Sequence, residues 1–390
     1  MPQLACFGLG GKEMGEAGLD RIVRAEDVAH MGITEVIRHM PRVYAAYRSL
    51  VAAIRQRRPG VAILIDFPDV NFRLARELKK IGIPVIYFVS PQLWAWKRRR
   101  LRWVQQRVTR MMVIFPFEER FYRARGVDAQ FIGHPLAELP KPIISREEYA
   151  AAHGLDPARE WIALLPGSRW KEVTANLEVM METAHRLPLG YDYILPVAST
   201  IDRTKLADFL AGHDEWWPGD ADSALKTSHI RLVPDAREAL NHARASVVAS
   251  GTATVQAAVI GNPFVVVYRV SPLTFRLAKR LVRDPAEIWD SAQVNLNGNL
   301  PIAMVNLIAG RRIVPELLQT RFTGENVAAA LRPLLADTPE REQMITDLAE
   351  VRHALQPPPG AGSIQQVCDA VEALLTGKPQ ACGPNSTASV

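Results

Sequence analysis

Cysteine is scarce in this chain of 390 residues: Cys6, Cys368 and Cys382 are the three present, at none of the spacings of a disulfide framework or a zinc site. That usage suits a reducing cytoplasm. Long hydrophobic runs are missing as well, and the N-terminal MPQLACFGLGGKEMGEAG lacks the basic stretch and apolar core of a signal peptide. The expected protein is therefore neither exported nor transmembrane. No short repeat occurs, and no strong excess of one charge: Lys plus Arg is 47 against 41 for Asp plus Glu, a net +6. An excess so small over this length is a poor basis for a nucleic-acid partner, although it can matter locally. What is present is 48% hydrophobic and 23% charged residues, the balance of a globular protein. The length exceeds what one core holds, which points to two domains.

Short β-rich apolar runs alternate with amphipathic helical segments, the pattern of an α/β protein with a mostly parallel sheet. Buried strands are expected at VAILI (61–65), PVIYFV (84–89), MMVIF (111–115) and AQFIG (129–133), with helices between them, one of them spanning WKRRRLRWVQQRV. A second set follows: WIALL (161–165), a long helix from about Lys171 to Leu187, then YDYILPV, HIRLV, ASVVAS and PFVVVY. The proline-rich GHPLAELPKPIIS (133–145) reads as the interdomain connection. The expected units are residues 1–140, residues 141–376, and a polar tail, 377–390, that is disordered. From about Gly324 the chain reads as helices broken by QPPPGAGS.

In open α/β sheets ligands bind beyond the carboxyl ends of the strands. After VAILI stand Asp66 and Asp69. A carboxylate there can be held rigidly and partly desolvated, as a general base requires; Asp69 is better read as the N-cap of the next helix, and for Asp66 base and turn support are evenly matched. After WIALL come Gly167, Ser168, Arg169 and then Glu172, a turn into a long helix whose free N–H groups, with a hydroxyl and a fixed cation, make an anion site; an ordinary turn capped by Ser168 is the plain alternative. After ASVVAS, Ser250, Gly251 and Thr252 lead into a helix carrying Gln256, a second such turn, and two from one sheet can converge on a diphosphate. Neither has Walker A or G-x-G-x-x-G spacing, and Gly8, Gly10 and Gly11 read as a plain glycine-rich turn.

A basic aromatic stretch holds Trp94, Trp96 and Trp103 among Lys97, Arg98, Arg99, Arg100 and Arg102. It suits an anionic bilayer surface slightly better than a solvated face with tryptophan packed beneath it, and no nucleic-acid module accompanies it. Asp220 and Asp222, a D-x-D pair in a polar loop, read as a surface turn, and His134 either touches a ligand or locks the linker.

Taken together, FPDVNFRLARELKKIGIPVIYFVSPQLWAW, FPFEERFYRARGV, FIGHPLAE, LLPGSR with Glu172, ASGTAT, VNLIAGRR and PELLQ resemble the lipid-A-disaccharide synthase family, in unbroken order from about Gly8 to Leu375. The resemblance implies two Rossmann-like domains of the GT-B type facing across a cleft, with the last helices packing back on the first. It implies inverting transfer of 2,3-diacylglucosamine from its UDP ester to 2,3-diacylglucosamine 1-phosphate (lipid X), giving the β-1,6-linked lipid A precursor without metal or cofactor. A peripheral place on the inner face of a Gram-negative cytoplasmic membrane is implied too, and a homo-oligomer is left open. Carried over, Asp66 is the base, and Ser168, Arg169, Glu172, Ser250, Gly251, Thr252, Gln256 and Asn306 belong to the UDP-sugar site. The aromatic and basic residues at 94–103 meet membrane or acceptor.

Two departures stand out. The family begins with a strand and a Gly-Glu-x-Ser-Gly-Asp loop, and this chain starts after them, so a misassigned start or a fragment is expected, and a first sheet without its central strand. The family often has Glu where Gln256 stands, which predicts weaker UDP binding. The alternatives are a catalytically impaired homologue that binds UDP and membranes, and a UDP-sugar epimerase.

Overall fold

The described strands of the second half pair in parallel, as strands joined by helical crossovers do. The structure is a computed structural model that describes residues 4–29, 33–188, 190–213, 230–271, 275–276 and 301–377. Its second half contains β7 (Glu160–Leu165), β8 (Tyr191–Pro196), β9 (Ile230–Val233), β10 (Ala245–Ala249), β11 (Phe264–Tyr268) and β12 (Glu316–Leu318), in the order β12-β11-β10-β7-β8-β9. Every residue from Trp161 to Leu165 is buried, and β10 is buried throughout. Near-continuous apolar runs of this kind are what a sheet covered on both faces demands.

The first half carries β3 (Ala62–Ile65), β4 (Val85–Phe88), β5 (Arg110–Val113) and β6 (Ala129–Phe131), parallel and in sequence order. Successive side chains of a strand face opposite ways, and here each face has its own core. Val85, Tyr87, Met111 and Val113 pack with the helices Pro68–Lys80 and Pro116–Arg123, whereas Ile86, Phe88, Met112 and Ile114 pack against Val367, Ala370 and Val371 of the last helix, Ser363–Thr376. β1 (Phe7–Gly10) and β2 (Asp20–Arg24) form a separate two-stranded parallel sheet.

Three expectations change. Phe7–Gly10 is a strand and not a turn, because pairing with β2 supplies the order that its glycines lack. VAILI is only half buried: β3 is an edge strand that pairs with β4 alone, and Ile63 and Ile65 are 43% and 48% exposed. WKRRRLRWVQQRV is not one helix; the chain turns at Lys97, with φ +52°, into a 3-10 turn, Arg98–Arg100, and a short helix, Leu101–Arg107.

The chain between the halves is clasped by the segment before the last helix. His134 N–H donates to the Leu355 carbonyl at 2.8 Å, Gln356 Nε2 to the Ala137 carbonyl at 2.9 Å, and Ser363 N–H to the Glu138 carboxylate at 3.0 Å. Gly133, at φ +85°, faces Pro357 so closely that a Cβ would lie 2.5 Å from its backbone. His134 is buried and its Nδ1 accepts from Leu136 N–H, so its ring caps the short helix Pro135–Glu138, and burial lowers its pKa to about 4. The helix Met304–Ala309 joins the two cores, with Leu307 in the first and Val305 in the second. No helix of the described residues is long and apolar enough to cross a membrane.

Candidate functional site

At the carboxyl end of β7 the chain passes through Gly167, whose φ of +125° is open to glycine and whose missing side chain makes room for Glu172: a Cβ would meet the Glu172 carboxyl carbon at 2.5 Å. The turn is held from both sides, Asn176 Nδ2 donating to the Pro166 carbonyl at 2.8 Å and Thr200 Oγ1 to the Ser168 carbonyl at 2.6 Å. The helix Trp170–Arg186 then starts from Arg169 with no side-chain cap, so Ser168 does not close it. At the end of the neighbouring β10, the helix Thr252–Ile260 starts from Gly251, again without a side-chain cap. Each helix presents the unsatisfied N–H groups and positive dipole end that attract an anion.

Several polar side chains around these two helix ends have no protein partner. Among the described residues, none hydrogen-bonds or ion-pairs with the side chains of Ser168, Arg169, Ser250, Thr252 or Gln256, and Ser168, Arg169 and Thr252 are exposed. A fixed guanidinium, hydroxyls and two bare helix N-termini in one region match the chemistry of a diphosphate. Tyr268, at the end of β11, belongs with them. Burial raises its pKa first and the Glu172 carboxylate second, while the Arg169 guanidinium lowers it, so its phenol stands in the field of both. Attention to the residue closing each strand would have found it, since β11 lies next to β10.

Asn306 is different, and its expected place in the cleft is corrected. It is fully buried and all four hydrogen-bonding positions of its amide are used: Nδ2 donates to the Val314 carbonyl and to Glu316 Oε1, and Oδ1 accepts from the N–H groups of Ile313 and Val314. It pins the helix joining the two cores to the segment that leads into β12. Glu316 completes the clamp by accepting from the N–H groups of Ile302 and Ala303 and pairing with Arg312 at 3.1 Å.

Asp66 closes β3 in a strained turn. Asp66 has φ +44° and Phe67 φ +40°, two successive non-glycine residues in the left-handed region, each costing on the order of 1–2 kcal/mol. The turn persists because it is tied down: Asp66 N–H donates to the Phe88 carbonyl, and its own carbonyl accepts from Asn71 Nδ2 at 2.7 Å and the Tyr87 hydroxyl at 2.6 Å. The carboxylate itself is exposed and unpartnered among the described residues, so the backbone that carries it is held rigidly while the group stays in water. Asp69 is not the cap; Phe67 holds that position, and Asp69 in the first turn pairs with Arg100.

The basic aromatic stretch divides into anchored and open parts. Trp94 is 5% exposed, its indole N–H donating to Glu118 Oε1 at 3.3 Å, so it cannot face a membrane. Trp103 packs edge-on to Phe72, Arg98 donates to the Trp94 carbonyl, and Arg100 is held by Asp69. Trp96 is 44% exposed with Lys97 Nζ over its ring, and Arg99 and Arg102 are exposed. Beneath them Glu118 is wholly buried and accepts from Ser90 Oγ at 2.6 Å; burial pushes its pKa up to about 7 against the pull of these donors. The pair Asp220 and Asp222 lies outside the described residues.

Residues 1–358 match the family model of lipid-A-disaccharide synthetase. A lipid-A-disaccharide synthase of Acidobacterium capsulatum is 52% identical over 375 residues, covering 95% of this chain and 88% of its own. One of Koribacter versatilis is 48% identical over 350 residues, covering 90% and 85%. Among solved structures, Arabidopsis thaliana UGT89C1 complexed with UDP matches with a TM-score of 0.58 at 11% identity, covering 96% of this chain and 93% of that one. The S. aureus MnaA-UDP co-structure matches at 0.56 and 12%, covering 97% and 100%. These two likenesses are of fold.

Proposed function

Since this chain belongs to the lipid-A-disaccharide synthase family, a family of GT-B glycosyltransferases that make the lipid A disaccharide, we propose the specific reaction and the residues that carry it. The donor is UDP-2,3-diacylglucosamine and the acceptor 2,3-diacylglucosamine 1-phosphate. Asp66 takes the proton of the acceptor 6-hydroxyl as that oxygen bonds to the donor's anomeric carbon from the face opposite the leaving group. The bond from that carbon to the diphosphate oxygen breaks, the electron pair leaves with UDP, and the configuration inverts to β. Arg169 and the N-termini of the helices Trp170–Arg186 and Thr252–Ile260 stabilise the charge growing on the diphosphate, a role such fixed groups perform without reorganising.

The observation carrying this reading is the pairing of two uncapped helix ends with side chains that have no partner in the protein. Ser168, Ser250 and Thr252 contribute hydroxyls, Glu172 and Gln256 stand nearby, and Tyr268 joins the donor site. The four open members of the basic stretch, Trp96, Lys97, Arg99 and Arg102, face the anionic inner surface of the cytoplasmic membrane, where both substrates reside. The test is UDP release in detergent and excess chelator. Release that depends on the acceptor is the expected result; release without it, or none, defeats the assignment.

A further inference from the structure

A second basic site lies in the first half, at the carboxyl end of β2. A cavity of about 600 Å³ is lined by Arg21, Ile22, Val23 and Arg24 of β2, by Asp27, and by Arg42, Ala46 and Ser49. The last three stand at spacings of four and three residues on the helix Ile33–Arg57, so they share one helix face, laid over β2. Three guanidiniums thus converge against one lining carboxylate. Arg21 pairs with Glu26 at 3.5 Å, but Arg24 and Arg42 have no ion-pair partner among the described residues, and the Ser49 hydroxyl has no hydrogen bond there. The three cations outnumber the nearby carboxylates of Asp27 and Glu26, and an anion entering the cavity relieves the repulsion that remains. Guanidinium forks match phosphate oxygens in geometry as well as charge, while Ile22, Val23 and Ala46 leave part of the wall apolar.

We infer that this cavity binds the phosphate of a lipid-borne phosphate ester. The inference rests on the reading of the protein as an enzyme acting on phosphorylated glycolipid. The phosphate has two sources, the acceptor's own 1-phosphate or the headgroup of an anionic bilayer lipid, and the same chemistry recognises both.

Arg24 and Arg42 are both exposed, so Arg24→Gln, Arg42→Gln and the double variant remove charge without opening the core, and an unchanged Kd for UDP verifies that they fold. In one arm, the Kd of 2,3-diacylglucosamine 1-phosphate is measured in non-ionic detergent micelles beside that of its dephosphorylated form. In the other, partition onto phosphatidylcholine vesicles is compared with and without phosphatidylglycerol. A rise of about tenfold or more in Kd for the phosphorylated acceptor alone assigns the cavity to the acceptor. A similar loss of phosphatidylglycerol-dependent partition, with acceptor Kd unchanged, assigns it to the bilayer. Double-variant behaviour identical to the unmodified protein in both arms overturns the inference. These readouts are binding constants, so a protein that passes them yet releases no UDP would refute the transfer reaction and leave the cavity's role standing.

Discussion

Asp66 and Asn306 are both short polar residues close to the ends of apolar segments, and they occupy opposite situations. Asp66 offers an exposed carboxylate on a strained, fully tied backbone, whereas Asn306 spends its whole amide inside the protein. Asn tolerates the left-handed region as Asp does, so Asp66→Asn keeps the turn while removing the base. The expected outcome is a turnover rate lower by roughly a hundredfold to ten-thousandfold, the range of a general base, with Kd for UDP unchanged. Asn306→Ala instead strands the N–H groups of Ile313 and Val314 and removes a donor from Glu316. That should cost about 3–5 kcal/mol of stability in urea unfolding, and a stable variant with weak UDP binding would return Asn306 to the donor site. The two strand-to-helix turns proposed to hold the diphosphate were legible in sequence because a strand running through small polar residues into a helix is a local pattern. Asn306 was not, since its partners lie seven to ten residues away and only the folded path shows them.

The basic aromatic stretch shows how an element differs from its residues. Read as one helix over 96–108, Trp96 and Trp103 share a face, but the turn at Lys97 breaks that period, and Trp94, ahead of the turn, points inward onto Glu118. Glu118 has a folded pKa near 7, above the ordinary carboxylate value of 4.5. A raised acid pKa means that the folded state holds the proton more tightly than the unfolded chain. The stability this contributes is complete below about pH 4.5 and is lost as pH rises through 7. Glu118→Gln has no proton to lose, so its Tm relative to the unmodified protein should climb by roughly 2–5 °C between about pH 5 and pH 8. A constant difference would mean that Glu118 does not titrate in that window. Strands were legible where Val, Ile, Phe and Tyr cluster, as in β4, β10 and β11, and where the apolar run is unbroken, as in β7. The three residues of β12 are too few to show alternation and exist as a strand through pairing with β11, just as the glycine-rich β1 exists through β2.

Among the described residues the two halves meet through the helix Met304–Ala309 between the cores, the clasped segment around 133–138, and the last helix on the first sheet. The parallel α/β character was legible because short apolar runs alternate with amphipathic helical segments. The division of the first sheet into β1-β2 and β3-β4-β5-β6 follows from which edges meet and shows only in the fold. Glu138 is the joint of the clasp, accepting from both the N–H and the hydroxyl of Ser363 at the start of the last helix. Glu138→Ala should lower stability by about 1–2 kcal/mol and speed proteolysis after residue 360 ahead of global unfolding. Cleavage that begins elsewhere would show that the helix is held by its apolar face alone.

That last helix also sets an order of events during synthesis. Ile86, Phe88, Met112 and Ile114 are covered by Val367, Ala370 and Val371, which leave the ribosome more than 250 positions after Met112. At about 5–20 residues per second, one face of the first sheet stays bare for roughly 13–50 s while the second half is still being made. The nascent protein passes that interval with an apolar sheet face exposed, so chaperone binding and misfolding during rapid overproduction are expected to begin in its first half.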